Sequence, residues 1–210
     1  MTSSGGTTLS PQTRVTREDW LQAARSALIT AGVDQVKVLP LARQLRVSRS
    51  SFYWYFQNRQ ELLDQLVRSW QETNTQDIVT QARRPSRTIT EGVLHVFECW
   101  VDGAPFDPRL DFAIRAWARR SPELQNIVRA EDDARVEAIS QLYRRHGWDE
   151  TGAFIRARVL YFMQIGYYAL ELNEPREQRL RYTADYVQSF TGQAPQPGEV
   201  EAFQRIARMR

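Results

Sequence analysis

Arg49, Ser50, Ser51, Tyr53, Trp54 and Tyr55 crowd one short stretch, SRSSFYWYF, of a 210-residue chain. A guanidinium can grip two acceptors at once, hydroxyls donate or accept, and a phenol carries its hydroxyl at the end of an apolar ring. On one short helix these groups suit a polyanion with a patterned edge, which is what a DNA groove presents. Covalent and phosphoryl-transfer chemistry has no comparable cluster. The chain has no glycine-rich phosphate loop, no Gly-x-Ser-x-Gly and no Cys-x-x-Cys pair.

Positioning such a stretch requires a scaffold, and residues 39–63, LPLARQLRVSRSSFYWYFQNRQELL, supply one. Leu41, Ala42 and Leu45 give a first short helix its apolar face. Val47 and Ser48 form a turn, with Ser48 expected to cap the next helix, Arg49 to Phe56, through a backbone N–H. Asn58 with Glu61 three residues on marks the start of a longer helix. The pattern predicts a helix-turn-helix whose second helix enters the DNA major groove. Arg49 is the expected base reader, because Arg pairs bidentately with guanine. Ser50 and Ser51 add base or phosphate contacts, and Tyr53, Tyr55 and Arg59 hold phosphates. Lys37, Ser48 and Trp54 complete the expected DNA-binding set. Phe52 and Phe56 belong to the domain core, and Trp54 fits either environment.

Charge points the same way. Residues 11–70 carry nine Lys/Arg against five Asp/Glu, whereas the whole chain is only +3. The basic excess is therefore confined to the N-terminal third, and phosphate neutralisation dominates non-specific DNA affinity.

With Thr16 and Asp19 capping a helix that carries Trp20, Ala23, Ala24, Ala27 and Leu28, then Gly32, then LARQLRVSRSSFYWYFQNRQELL, the chain resembles the TetR family of transcriptional regulators over residues 14–70. The resemblance implies an all-α protein: an N-terminal three-helix helix-turn-helix DNA-binding domain, then a C-terminal helical ligand-binding and dimerisation domain. It implies a repressor that a small ligand releases from its operator, and a homodimer built on the last two long helices. Two positions depart from the family pattern. Arg46 stands where glycine is usual, at a turn that tends toward positive φ, and Val38-Leu39-Pro40 replaces a hydroxyl residue at the start of the second helix.

The expected domains are a disordered tail over 1–13, a DNA-binding domain over 14–60, a helical domain over 61–192 and a tail over 193–210 with a possible short helix. A long helix from Arg59 to about Thr80 connects the domains. Further helices start near Arg87, at Asp107-Pro108 and at Ser121-Pro122, where a capping side chain precedes a proline suited to the first helical position. A helix over Glu150–Leu172, apolar nearly all round in its second half, must be covered on more than one side, which points to a partner subunit. The last long helix runs from Asn173–Pro175 to Thr191-Gly192. His95, Trp100, Phe112, Trp117, Phe162, Gln164 and Tyr167 are the candidate lining of an apolar small-molecule pocket.

A competing reading places a metal-dependent α-helical enzyme on Glu91, His95 and Glu98, which share a helix face. A matching Glu-x-x-His on a second helix is missing from the sequence. Another is an effector-free DNA-binding protein. No cofactor or metal is expected. The partners expected are double-stranded DNA with an inverted-repeat operator, a second copy of the chain and a small effector, with no membrane. The single cysteine, Cys99, rules out an intrachain disulfide and suggests a reducing compartment. The longest apolar stretch, Val159–Leu172, is too short and too polar to span a bilayer. A cytoplasmic protein is expected.

Overall fold

A computed structural model of the chain describes residues 15–172 and 174–210. The tail expected over 1–13 lies outside the described residues, as does Asn173. Among the described residues there are helices and no strands, the all-α architecture that the sequence predicts. The chain divides into two compact units, residues 1–66 and 67–210.

The N-terminal unit opens with α1 (Arg17–Ala31). Thr16 accepts from the Asp19 N–H while the Asp19 carboxylate accepts from the Thr16 N–H, a reciprocal cap that satisfies two orphan donors. Gly32, at φ 80°, ends the helix. A short 3₁₀ turn, Val33–Gln35, leads to α2 (Val38–Gln44), with Pro40 in the first turn, where its missing N–H costs nothing. Arg46 adopts φ 57°, the left-handed conformation that the turn demands and that glycine would take without strain. Then come α3 (Arg49–Phe52) and α4 (Arg59–Trp70). The core is aromatic at its centre: Trp20 meets Phe52 edge-on at 5.3 Å, and Phe52 stacks on Phe56 at 5.2 Å. Leu28, Leu41, Leu62 and Leu63 close around them.

The expected face of α4 (Leu62, Leu63, Leu66, Val67 and Trp70) is buried throughout. The helical run continues to Arg83 but is not uniform. A π-helical turn, Gln71–Thr75, separates α4 from α5 (Gln76–Arg83). That turn presents Asn74 and Thr75 to the interior, and both are fully buried.

The C-terminal unit continues with α6 (Ile89–Phe97), which a 3₁₀ turn extends to Trp100, then α7 (Pro108–Ala118), α8 (Pro122–Arg145) and α9 (Glu150–Ala169). Asp107 and Ser121 cap their helices with proline at the first position, as expected. The single long helix expected next is two pieces, α10 (Arg176–Arg181) and α11 (Thr183–Thr191), broken at Tyr182. Their inward residues Leu180, Val187 and Phe190 still share one side. The terminal segment is no loose tail: α12 (Glu199–Met209) buries Phe203 and Ala207 in the core. The buried Glu199 carboxylate anchors it, accepting from the hydroxyls of Thr88 and Thr90 at 2.5 and 2.6 Å.

A polar network sits deep in this unit. Asp111 has no exposed surface and accepts from Trp70 Nε1 at 2.7 Å, Arg115 Nε at 2.7 Å and Arg135 Nη1 at 3.0 Å. Arg115 also grips Asp132 through both terminal nitrogens, at 2.8 and 2.6 Å, and the Tyr161 hydroxyl donates to Asp132 at 2.6 Å. Arg135, also without exposed surface, donates to Thr75 and Tyr161 and lies over the Trp70 ring. Two carboxylates face two guanidiniums, so the buried charge is balanced.

Candidate nucleic-acid interface and effector cavity

In the N-terminal unit, α3 is shorter than expected. After Phe52 the backbone tightens into turns, Tyr53 N–H to Ser50 O and Tyr55 N–H to Phe52 O, and the α-helix does not reach Phe56. Burying both Phe52 and Phe56 in the core fixes that turn from beneath. Ser48 does not cap α3. Its Oγ lies 2.8 Å from the Ser50 Oγ instead. The outward side carries Arg49, Ser50, Tyr53 and Trp54, all exposed, with Ser51 half-buried. Trp54 is 72% exposed, so the surface is its environment. Arg49 and Tyr53 act as a pair: Nη2 donates to the tyrosine hydroxyl at 3.2 Å, and the guanidinium stands 6.0 Å from the ring centre. Lys37 is exposed at the start of α2.

Two residues expected at phosphates are engaged inside the unit. The Tyr55 hydroxyl donates to the Val15 carbonyl at 2.7 Å. Arg59 donates to the carbonyls of Val36 and Val33 at 2.5 and 2.7 Å, tying the start of α4 to the link between α1 and α2. Both are half-buried. Arginine's rigid fork suits carbonyls as well as phosphates, and its sequence position did not separate the two uses. Asn58 accepts from the Glu61 N–H at 3.0 Å, while Glu61 accepts from the Gln57 N–H at 2.7 Å, a helix start that was legible.

In the C-terminal unit, the residues expected around one pocket are dispersed. Trp100, Gln164 and Tyr167 share a cavity of about 90 Å³ with Phe97, Tyr186 and Phe203. His95 lines a different cavity, of about 310 Å³, with Glu91, Glu98 and residues of α12. Phe112 and Trp117 are half-buried on α7, Phe162 is exposed on α9, and none of the three lines either cavity. The missed lining residues include Phe97 of α6, Leu180 of α10, Tyr186 of α11 and Phe203 of α12. A terminal helix read as a tail gave no reason to look there.

In the row Glu91, His95 and Glu98, both carboxylates are spent on local partners. Glu98 pairs with Arg84 at 3.0 Å, and Glu91 accepts from the Arg87 N–H at 2.6 Å. Burial and the nearby Arg84 hold the His95 imidazole below its ordinary pKa, keeping it neutral. Among the described residues no three His, Cys, Asp or Glu side chains are grouped to hold a metal ion. Cys99 is buried, and burial together with Asp77 raises its pKa, so the reactive thiolate is disfavoured.

One face of α9 stays uncovered. Ala153, Ala157, Leu160 and Tyr161 are buried, whereas Phe154, Ile155, Val159 and Phe162 are between 41% and 55% exposed. Ile155 and Val159 border a groove shared with Ser189 and Phe190 of α11.

Two short helices joined by the turn Leu45–Ser48, with the second displaying its polar face, define a helix-turn-helix DNA-binding unit. The match to a known family falls in this unit. Residues 21–66 match the model of bacterial regulatory proteins, tetR family. Three solved structures are similar in fold. Salmonella enterica GusR is 14% identical, with 91% of this chain and 95% of that one covered and a TM-score of 0.57. Mycobacterium smegmatis AmtR is 16% identical, with 94% and 96% covered and a TM-score of 0.61. A transcriptional regulator from Rhodococcus sp. Rha1 is 16% identical, with 93% and 97% covered and a TM-score of 0.50. At these identities the likeness speaks for the fold. No protein of curated function matches the chain in sequence. No helix among the described residues is long and apolar enough to cross a membrane.

Proposed function

We propose that the protein is a homodimeric transcriptional repressor that binds an inverted-repeat operator and is released by a small, largely apolar ligand. The observation that carries the DNA reading is the outward face of α3, where Arg49, Ser50, Tyr53 and Trp54 stand in solvent above a core locked by Phe52 and Phe56. Arg49 reads a base edge, with Ser50 and Ser51 beside it. Tyr53, Trp54, Ser48 and Lys37 hold the backbone and fix register. Tyr55 and Arg59 act indirectly, by holding the unit in shape.

Dimerisation is supported by the exposed apolar side of α9 and its groove against α11. A symmetric pair would bury that surface and set half-sites about 34–36 Å apart. The cavity lined by Trp100, Gln164 and Tyr167 is the effector site. Selection of bound genomic fragments by the purified protein tests the reading. It should return an inverted repeat, and light scattering should give twice the 24.5 kDa chain mass. Gln164→Trp, which fills the cavity, should blunt ligand release and leave DNA binding intact. Unselective fragments, or a folded monomer at micromolar concentration, would refute it.

A further inference from the structure

The larger hollow between α6 and α12, about 310 Å³, has no part in the reading above. A volume of about 150 Å³ holds benzene, and small-molecule sites run from roughly 300 to 1,000 Å³. Leu94 of α6 and Ala202, Phe203 and Ile206 of α12 give the hollow an apolar side. One polar group in its wall is unsatisfied. His95 is only 7% exposed, and its Nδ1 has no hydrogen-bond partner among the described residues. Because burial and Arg84 keep the ring neutral, it can carry its proton on Nε2 and offer Nδ1 as an acceptor. What that nitrogen lacks is a donor.

The wall also holds more negative charge than positive. Glu91, Glu98 and Glu199 line it with Arg84 and Arg87. Glu98, 5% exposed, is paired with Arg84 at 3.0 Å. Arg87 is 86% exposed and stands 3.9 Å from Glu91, a pair that water screens. Glu199, 8% exposed, is held by neutral groups: the hydroxyls of Thr88 and Thr90 and, at 2.9 Å, the Gln196 N–H. Burial would raise its pKa, but these three bonds outweigh it and keep the carboxylate ionised. Neutral donors satisfy its oxygens without cancelling its charge. A surplus of negative charge thus stands in the same wall as a buried acceptor without a donor.

We infer that this hollow is a second small-molecule site, separate from the effector cavity, and that it takes a primary amine on an apolar body of about two rings. The ammonium donates to His95 and compensates Glu199, while the rings lie against Phe203 and Ile206. The test involves no DNA. Three probes of one shape (naphthylmethylammonium, naphthylmethanol and naphthoate) are titrated calorimetrically into the full-length protein at neutral pH. Hydrogen exchange with and without the amine then locates it.

The amine should bind about tenfold more tightly than the alcohol, since a charge-assisted hydrogen bond is roughly twice as strong as a neutral one. Naphthoate should bind weakest. Protection from exchange should appear over residues 88–98 and 197–206. His95→Phe and Glu199→Gln should each lower amine affinity about tenfold and leave the alcohol nearly unchanged. The ranking and the protection map in the unmodified protein decide the matter even where a variant folds poorly. An alcohol that matches the amine would show the charge surplus silent, and naphthoate binding best would make the arginines anion readers. Protection confined to residues 163–186 would put the amine in the effector cavity instead, and three failures would leave the hollow a surface cleft. Each of these overturns the inference. The operator selection described above stands or falls separately.

Discussion

In the N-terminal unit Arg43, Arg46 and Arg49 stand in solvent, while in the C-terminal unit Arg135 has no exposed surface and Arg115 is largely enclosed. The exposed group offers its charge outward and has little to do with holding the fold. The buried pair is neutralised within the unit by Asp111 and Asp132 and offers nothing to a partner. Arg59 stands between these cases, half-buried and spent on two backbone carbonyls. Charge count located the basic end of the chain, but only desolvation and partners separate an arginine that binds from one that builds.

The contrast is most easily broken at Arg135. Arg135→Leu should cost about 3–5 kcal/mol, the usual penalty for removing one member of a buried pair, read from urea midpoints by circular dichroism. Burial alone would raise the Asp111 pKa, but Arg135, Arg115 and the bonds from Arg115 and Trp70 outweigh it and hold it below 3.8. A carboxylate with a depressed folded pKa stabilises above its unfolded value and loses that contribution as pH falls. Stability of the unmodified protein should therefore drop below about pH 4, and the drop should flatten in Arg135→Leu. An unchanged acid limb would show that Asp111 is not held by this pair.

Arg59 comes next. Arg59→Leu removes two charge-assisted bonds and should lower stability by about 1.5–3 kcal/mol. The salt dependence of DNA binding should keep its slope, because no phosphate contact is lost. A slope lower by about one would return Arg59 to the phosphate backbone.

Arg49 tests the exposed side. Arg49→Ala should weaken operator binding by about 1–3 kcal/mol and relax preference at one base position, with folding stability nearly unchanged. Since Arg49 donates to Tyr53, the double change with Tyr53→Phe should be less than additive. Equal losses across all single-base operator variants would make Arg49 a phosphate clamp.

The smallest effect belongs to Arg46. Relieving its φ of 57° by Arg46→Gly should stabilise the N-terminal unit by up to about 1 kcal/mol. A loss of stability in the thermal melt would mean that the arginine side chain repays its own backbone strain.

Local features were legible where a short-range rule decides them. Thr16 with Asp19, Asp107-Pro108, Ser121-Pro122 and Asn58 with Glu61 each mark a helix start from side-chain chemistry within four residues. What escaped depends on distant partners. The length of α3 is set by how Phe52 and Phe56 pack, and the use of Arg59 by carbonyls 23 and 26 residues away. The Asp111–Arg115 pair and the Asp132–Arg135 pair have the spacing of ordinary surface ion pairs. Nothing in that spacing says that they converge in the interior. The proposed effector cavity was half visible, because α9 announces itself by apolarity while α12 looked like a tail with at most a short helix.

The buried network also constrains how this sequence can change over time. Asp111, Arg115, Asp132, Arg135 and Tyr161 come from three helices, α7, α8 and α9, and bond to one another. A lone substitution of one of the four charged members strands its partner, whereas replacing the whole set by apolar residues can be neutral or even stabilising. Two viable states are thus separated by a valley that single steps cross poorly. Among descendants of this chain the five positions should persist together or vanish together, and rarely drift one at a time.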